Sequence, residues 1–487
     1  EAVVNNHYLK PYTLVVQTLS PLHIGAGFKL GKADYVLQNG RFHVIDENKL
    51  MTWIAQQPDA EKLALALADN LRVMGKGIDD FIRNNLRDRC NLSEITAYSI
   101  PYTGSPKDVS AFIKTSYSLP YLPGSSVKGV LRSALLRGAM IQDINLKQKA
   151  RTYVYEGAKS PNSPKTNSDQ IQAKLFAPTA PKSSKTPNYD INRLLTVRDS
   201  DPLDSNSLQV AQIKVLSIDN QKGLRWKQKP AKGAMADMDI YVEVIPKGKF
   251  LTHPVIWQTN LLQKQAKQLG FADLEHLMAF LPEYCRIVSL NLLTQERDFY
   301  QRHGHKELED WFEKRLTSLA KSNEMVFILP MGWGSGYDAK TITDLLGEET
   351  FKLVVSKYNN TQGLGKPGRN PEAPWLGPDD SPKSRKLVVH SNGALEPLGW
   401  VAMRFVPETG AEDWLASRRQ ILIQGKPAIQ PEPSLTSAVS VTSQKTEAAA
   451  QPTSPQPAQP KAAAPAPQSA KPAAPKPAAA PGINNAA

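Results

Sequence analysis

Alternation of apolar and polar residues along several short stretches of the chain predicts β-strands. Residues 13–19 alternate in this way, and residues 239–245 do so more clearly because Ile240, Val242 and Val244 fall on one face. Side chains two positions apart share one face of a strand, so we expect that face to pack against a core. The same criterion predicts further strands at residues 208–218, 325–329 and 400–406.

Helical periodicity appears in other stretches, where apolar residues recur three or four positions apart. These stretches are residues 60–73, 127–140, 256–269 and 308–319. Strands and helices alternate irregularly along the chain, and the regular strand–helix–strand repeat of a doubly wound sheet is missing. The pattern therefore predicts an α+β fold.

Three stretches of different composition interrupt this pattern. Residues 431–487 are dominated by Ala, Pro, Gln and Ser and contain no aromatic residue. Such a segment cannot bury enough apolar surface to offset its ordering entropy, so we expect a disordered tail. Stretches near 156–190 and 359–386 are rich in Ser, Pro, Gly and Lys, which predicts surface loops or insertions. We therefore expect one folded region at residues 1–430.

Charge narrows the choice of partner. The 487 residues carry a formal net charge of +13, which favours nucleic acid first and an anionic membrane second. A basic surface without such a partner is the alternative. No apolar run approaches the roughly 18–20 residues that span a bilayer, and residues 1–7 do not resemble a signal peptide. Cys90 and Cys285 alone support no disulfide framework or cysteine metal cluster, so we expect a cytoplasmic protein.

The first glycine loop, residues 19–32, directly follows the first predicted strand. Its glycines allow a ligand to approach the backbone closely, and its lysines add positive charge. The spacing differs from GxxxxGK[ST], so a nucleotide triphosphatase is not supported. The histidine is a candidate general base or base-stacking residue, or a residue packed at the strand end. The residues concerned are His23, Gly25, Gly27, Lys29, Gly31 and Lys32.

The lysine–arginine motif, residues 121–135, combines a turn with the start of a helix. A Pro-Gly pair ends the preceding segment, and we expect Ser125 or Ser126 to cap the helix that follows. Lys128 and Arg132 are four positions apart and share one face of that helix. Free N–H groups, hydroxyls and two cations form a candidate phosphate site. The alternative is a capped amphipathic helix with two solvated cations.

The late glycine loop, residues 330–342, follows another predicted strand. Gly332, Gly334 and Gly336 alternate with other residues, a tryptophan and a tyrosine lie among them, and Lys340 begins a predicted helix. Glycines, aromatics and a lysine suit contact with a sugar–phosphate backbone and stacked bases. The run misses GxGxxG by one position, so a dinucleotide fold is not indicated. A tight strand–helix turn is the alternative.

Two polar clusters are weaker candidates for chemistry. Asp199 and Asp201 lie two apart beside Ser and Pro, a context typical of turns and interfaces. His303 and His305 flank a glycine, but no further ligand supports a zinc site. We therefore expect neither a metal nor another cofactor.

Taken together, these motifs resemble the RAMP superfamily of CRISPR-associated proteins. Residues 20–27 look like its N-terminal motif, residues 122–132 like its lysine–arginine helix motif, and residues 331–336 like its glycine-rich loop. Residues 198–201 and 397–400 narrow the match. The order and spacing resemble those of the family of fifth subunits of type III-A (Csm) effector complexes.

The resemblance implies a fold and a role. It implies an RRM-like (ferredoxin-like) core in a non-catalytic, RNA-binding subunit that caps the backbone filament of the complex. That subunit would hold the 3′ part of the CRISPR RNA and support its maturation and antiviral defence. The implied partners are CRISPR RNA, the backbone and small Csm subunits, and host trimming nucleases.

The resemblance also implies that RNA lies beside all three motifs. A metal-independent RAMP endoribonuclease with His23 as general base is the alternative, although no acid partner is evident. A protein-only adaptor with an incidental basic surface is a further alternative. The residues expected to bind RNA are His23, Gly25, Gly27, Lys29, Ser125, Ser126, Lys128, Arg132, Gly332, Gly334, Gly336 and Lys340.

Overall fold

The strands and helices were located in a computed structural model of the chain. The predicted tail and most of the stretch at 359–386 lie outside the residues that the structure describes. The described residues are 9–73, 75–159, 165–180, 186–219, 223–231, 234–354 and 380–424.

The strands are numbered in chain order. They are β1 (Leu9–Thr18), β2 (Gly25–Leu30), β3 (Tyr35–Gln38), β4 (Arg41–Ile45), β5 (Thr96–Pro101), β6 (Val109–Phe112), β7 (Leu195–Val197), β8 (Gln209–Ile218), β9 (Leu224–Trp226), β10 (Gln228–Ala231), β11 (Ala234–Asp237), β12 (Ile240–Val244), β13 (Phe250–Gln258), β14 (Phe327–Pro330), β15 (Ser384–Val389), β16 (Leu395–Pro397) and β17 (Trp400–Pro407).

The α-helices are numbered in the same way. They are α1 (Glu47–Ala55), α2 (Ala60–Arg72), α3 (Ile78–Phe81), α4 (Leu92–Ile95), α5 (Gly124–Gln142), α6 (Ile144–Lys159), α7 (Lys165–Phe176), α8 (Thr259–Lys264), α9 (Ala266–Leu269), α10 (Glu275–Ala279), α11 (Leu281–Arg302), α12 (Lys306–Lys321) and α13 (Trp414–Gln424).

Strand β1 is the centre of an antiparallel sheet with strand order β14-β17-β1-β13-β7. Its alternating pattern buries Tyr12, Leu14 and Val16 in the main core, as the sequence predicts. Helix α5 lies between β1 and β7 in the chain, and α11 lies between β13 and β17. The two helices pack against each other, while α5 contacts β7 and α11 contacts β14. The predicted α+β class is confirmed.

A second sheet has the order β16-β15-β8-β12-β6-β2, with β9 paired to β8. Only β12 and β6 run parallel among these pairs of described strands. Val242 and Val244 on β12 join a small apolar cluster with Leu398, which confirms their predicted shared face. The other face of β12 is also buried, and it carries Glu243. This sheet therefore brings a buried carboxylate close to β2 and the first glycine loop.

Residues 35–101 form a smaller unit with its own core. Strands β3, β4 and β5 make a three-stranded sheet, and helices α1 to α4 lie between β4 and β5 in the chain. Apolar residues of this unit, including Phe81 and Leu86, form a cluster separate from the main core. The sequence analysis did not identify this unit.

Two expectations are wrong in detail. The helix predicted at 256–269 is preceded by strand β13, which runs to Gln258, and only short helices α8 and α9 follow. In β13 the buried residues Leu251, Val255 and Trp257 alternate with more exposed ones, and pairing with β1 outweighs the helical spacing. The stretch near 156–190 contains helix α7, so it is not simply a loop. None of the described helices combines the length and apolar character needed to cross a membrane.

Candidate nucleic-acid interface

His23 is a buried member of the first glycine loop, with 2% of its surface exposed. Its Nδ1 donates to the carbonyl oxygen of Glu243 at 2.6 Å, which leaves Nε2 as the acceptor nitrogen. The ring packs edge-on against Phe112 and Trp333. Burial lowers the pKa of His23, so the neutral form is favoured. This geometry suits a residue that organises the loop better than one that reaches a substrate.

The first and late glycine loops interlock. The backbone N–H of Trp333 donates to the carbonyl oxygen of His23 at 2.9 Å. A Cβ on Gly332 would lie 2.3 Å from the same oxygen, and Gly332 has φ of +77°. Glycine is therefore required at this crossing. The two loops, more than 300 positions apart in the chain, are thus in direct backbone contact.

A third segment completes the crossing. The N–H of Gly399 donates to the carbonyl oxygen of Pro21 at 2.8 Å, and the N–H of Met331 donates to the carbonyl oxygen of Gly399 at 2.7 Å. The N–H of Trp400 donates to the hydroxyl of Ser20 at 2.9 Å. These bonds explain why a Pro-Leu-Gly-Trp segment accompanies the two glycine loops.

The outer parts of both loops are accessible. Gly25, Gly27 and Lys29 are exposed, and the pairing of β2 with β6 shifts register between Gly25 and Lys29. Gly336 and Lys340 are exposed in the late glycine loop. The two loops therefore offer exposed backbone and positive charge beside a buried crossing.

The aromatic residues near these glycines differ in exposure. Phe28 is 59% exposed on β2, whereas Trp333 is half-buried under the side chain of Lys386, whose Nζ lies 5.1 Å from the ring centroid. Burial lowers the pKa of Lys386, and the neighbouring Lys340 and Lys227 act in the same direction. Lys386, Lys340 and Lys227 therefore lie close enough to one another to interact beside the late glycine loop.

The lysine–arginine motif begins α5 at Gly124, but its serines do not cap the helix. The N–H of Gly124 donates to Oδ1 of Asp199 at 2.8 Å, and the N–H of Ser126 donates to the carbonyl oxygen of Pro123. A Cβ on Gly124 would lie 2.3 Å from the carbonyl oxygen of Val197, so the helix start packs tightly on the end of β7. A carboxylate from the same chain therefore occupies the predicted anion position. Asp199, for which the sequence predicted a turn or interface role, instead caps the start of α5.

Lys128 and Arg132 are both held by partners within the chain. Lys128 Nζ donates to the carbonyl oxygen of Leu195 at 2.7 Å, and burial lowers its pKa. Arg132 pairs with Asp190 at 2.6 Å and lies over the ring of Phe176. Its side chain is 31% exposed. The alternative of two freely solvated cations is therefore wrong, and both side chains are only partly exposed.

A buried arginine joins α5 to the late glycine loop. Arg137 is 2% exposed and forms an ion pair with Asp344, and it also bonds the side chain of Asn291. Its Nη1 donates to the carbonyl oxygens of Asp338 at 3.2 Å and Thr341 at 3.1 Å. The sequence analysis missed Arg137, although a lone arginine on the apolar face of a helix is a signal for a buried ion pair.

A buried carboxylate lies under the first glycine loop. Glu243 is fully buried and accepts bonds from the hydroxyl of Tyr98 at 2.6 Å and the N–H of Phe112 at 2.7 Å. Lys114 forms an ion pair with the same carboxylate. Burial lowers the pKa of Lys114 and raises that of Tyr98. Because the Glu243 carbonyl also holds His23, this network fixes the loop from below.

Asp338 lies at the end of the late glycine loop among other charged groups. Burial and the carboxylates of Asp344 and Glu296 raise its pKa to about 7, while Arg385 and Arg137 oppose the rise. The folded chain therefore binds a proton that the unfolded chain has lost between about pH 4 and pH 7. Stability consequently falls as pH rises through this range.

Replacing Asp338 by Asn is expected to remove this pH dependence. The variant should gain stability relative to the parent at pH 8, where Asp338 is charged in the folded parent, and gain much less at pH 5. Urea midpoints at the two pH values measure the effect, with the exposed Asp273→Asn variant as control. If the variant differs from the parent in stability by the same amount at pH 5 and pH 8, Asp338 is not the group with the raised pKa.

Metal ligands are not gathered anywhere in the part of the chain that the structure describes. His303 instead donates a hydrogen bond from Nε2 to the carboxylate of Asp380 at 3.2 Å. His305 packs its ring against Tyr300. Both histidines therefore contact residues of the fold.

The comparisons with known proteins agree with these motifs. The sequence pattern described as the RAMP superfamily matches residues 15–316, more than half of the chain. A Methanocaldococcus jannaschii protein, described as CRISPR system Cms protein Csm5, is 23% identical over 414 residues, covering 80% of this chain and 88% of that protein. A Streptococcus thermophilus protein of the same description is 27% identical over 221 residues, covering 43% of this chain and 56% of that protein.

Solved structures share the fold. A chain in a cryo-EM structure of a Csm-crRNA-target RNA ternary complex of a type III-A CRISPR-Cas system superposes with a TM-score of 0.56 at 24% identity, covering 81% of this chain and all of that chain. The crystal structure of T. onnurineus Csm5 superposes with a TM-score of 0.51 at 20% identity, covering 80% of this chain and 99% of that chain. The matched pattern spans the first glycine loop and the lysine–arginine motif, so the chain belongs to the RAMP superfamily and is similar to Csm5 proteins.

Proposed function

We propose that the protein is a non-catalytic RNA-binding subunit of a type III-A CRISPR effector complex. It caps the backbone filament in the cytoplasm, holds the 3′ part of the CRISPR RNA and supports maturation of that RNA. Its partners are the backbone and small subunits, together with host trimming nucleases. The similarity to Csm5 proteins supports this assignment.

The observation that carries the proposal is the interlocking of the first and late glycine loops. The crossing at His23 and Gly332 places exposed glycines and the cations Lys29 and Lys340 on loops held together by main-chain hydrogen bonds. Exposed backbone with nearby positive charge suits a phosphate backbone. The buried, neutral His23 supports a binding role over RNA cleavage, because a general base must reach the proton it removes.

The strand order of the first sheet supports a ferredoxin-like core within this proposal. Four strands of this sheet are, in chain order, β1, β7, β13 and β17, and other elements lie between them. Helix α5 lies between the first and second of these strands, and α11 lies between the third and fourth. In the sheet they lie in the order fourth, first, third, second, and every neighbouring pair is antiparallel. This is the arrangement of the split βαβ motif. Strand β14 extends the sheet beside β17.

Replacing Lys29 and Lys340 together by alanine is expected to weaken binding of single-stranded RNA. Each phosphate contact contributes about 0.7 to the slope of log K against log salt, so the slope should fall by about 1.4 and affinity at 0.1 M salt by about 10- to 30-fold. Fluorescence anisotropy of the full-length chain with a labelled CRISPR repeat RNA measures both quantities.

The control removes two lysines from elsewhere on the surface. Lys62 and Lys314 are exposed on α2 and α12, so the Lys62→Ala, Lys314→Ala variant has the same net charge as the test variant. An equal loss in both variants would show only a general charge effect. Cleavage of the repeat RNA by the parent chain without metal would contradict the non-catalytic role.

A further inference from the structure

A cavity of about 240 Å³ lies between helices α5, α6 and α7 and the segment that ends the late glycine loop. Part of its wall is apolar and belongs to a small hydrophobic cluster that is separate from the main core. The apolar lining residues are Leu136, Val154, Ile171, Ile342 and Leu346.

The rest of the lining is polar and contains two cations from the predicted RNA-binding motifs. Arg132 comes from the lysine–arginine motif and Lys340 from the late glycine loop, so the cavity is where these two motifs meet. Lys340 is exposed and donates to the carbonyl oxygen of Gly332 at 3.3 Å, while Arg132 is partly exposed and paired with Asp190, so two accessible cations line the cavity. The other polar lining residues are Ser133, Gln172, Thr341 and Thr343.

The hydroxyl of Thr341 is a separate indication of a ligand. Its Oγ1 is buried near the hydroxyl of Tyr337, which bonds Thr343, and Oγ1 itself makes no hydrogen bond of good geometry among the described residues. Most buried polar groups in proteins are paired, because desolvation without a new hydrogen bond is unfavourable. A ligand carrying a polar group into the cavity would supply the partner.

We propose that this cavity binds one nucleotide of a single-stranded RNA. The base lies against the apolar wall and bonds Thr341, while the phosphate lies at Arg132 and Lys340. The inference rests on the proposed function, since it takes RNA as the ligand.

Size and chemistry favour this ligand. An apolar cavity of about 150 Å³ accommodates a benzene ring, so a cavity of about 240 Å³ has room for a heterocyclic base. The base of an unpaired nucleotide is free to leave its neighbours and enter such a site, which a base inside a duplex is not. A flat apolar ring with a charged group at one end matches a wall that is apolar on one side and cationic at its mouth.

The test uses the full-length chain and a series of single-stranded RNAs, each with one abasic ribose at a different position. With the parent chain we expect one position at which loss of the base weakens binding about tenfold. Ile342→Phe and Leu136→Phe each fill the cavity without changing charge. In either variant the penalty at that position should disappear, while the salt slope of binding stays unchanged. Thermal unfolding identifies a cavity-filling variant that does not fold. If one of the two variants does not fold, RNA binding by the other variant tests the proposal.

Thr341→Val is the matched variant for the hydroxyl. It keeps the shape of the side chain, so it should leave the melting temperature unchanged or raise it, because an unpaired polar group is removed. Affinity for intact RNA should fall about threefold to tenfold, and affinity for the RNA abasic at the sensitive position should not change. A purely structural role would lower the melting temperature and leave RNA affinity unchanged.

The outcomes separate this inference from the proposed function. Salt-dependent RNA binding that is indifferent to an abasic site at every position overturns the nucleotide cavity and leaves the RNA-binding role intact. A position-specific penalty that persists in both filled variants also overturns it, because the base is then held elsewhere. Absence of salt-dependent RNA binding by the parent chain overturns the proposed function itself.

Discussion

Gly332→Ala is expected to destabilise the protein by about 2–5 kcal/mol. The new Cβ would lie 2.3 Å from the carbonyl oxygen of His23, a backbone atom that cannot move without breaking the crossing of the two loops. Left-handed backbone adds about 1–2 kcal/mol for a residue with a side chain, and overpacking adds about 1–3 kcal/mol. Urea denaturation monitored by circular dichroism measures the change in the free energy of unfolding.

Gly336→Ala is the matched control for this prediction. Gly336 lies in the same loop and has φ of +92°, but an added Cβ would meet nothing within 4 Å. Only the conformational cost of about 1–2 kcal/mol is therefore expected. If both substitutions have the same effect, the close approach of Gly332 to His23 does not hold the loops together.

Glu243→Gln is expected to destabilise the protein by about 3–5 kcal/mol. The side chain keeps its shape and can still accept from Tyr98, but the partly buried ammonium of Lys114 loses its counter-charge. Removing one partner of a buried ion pair leaves an uncompensated charge, which accounts for the size of the effect. The free energy of unfolding at pH 7 is the quantity to measure.

A second substitution tests the cause. Adding Lys114→Met to Glu243→Gln removes the unpaired charge and should restore most of the lost stability, because the apolar replacement no longer needs a counter-charge. Glu313→Gln, which breaks the exposed pair with Arg297, should cost less than about 1 kcal/mol. A double variant no more stable than Glu243→Gln alone would show that the carboxylate acts by some other contact.

Local patterns predicted the elements that repeat a simple period. The alternation in β1 and β12 and the helical spacing in α2, α5 and α12 all identify real elements, because burial on one face has a fixed period in each type. The prediction of a helix at 256–269 was wrong at its start, because residues 256–258 belong to β13, which pairs with β1. Helix α11 was missed although its buried residues Leu281, Cys285, Val288 and Leu292 recur at helical spacing, so this element could have been found from the sequence.

The site shows the same division between local and distant information. Glycine-rich composition identified both loops, yet nothing local shows that Trp333 bonds His23. The helix cap was assigned to the serines because they are adjacent in sequence, whereas the group that caps α5 is Asp199, 75 positions away. Glu243 and Arg137 were not found, because each is a single charged residue whose partners come from other elements.

The bond between Trp400 and Ser20 spans 380 positions of the chain and so constrains when the loops assemble. At about 5–20 residues per second, a ribosome needs about 20–80 s to synthesise the chain between these two residues. During that interval β1 lacks β17 as a neighbour and presents an open strand edge to other nascent chains. The crossing of the two glycine loops therefore cannot be completed until residue 400 emerges, and a chaperone that covers the edge of β1 would act before then.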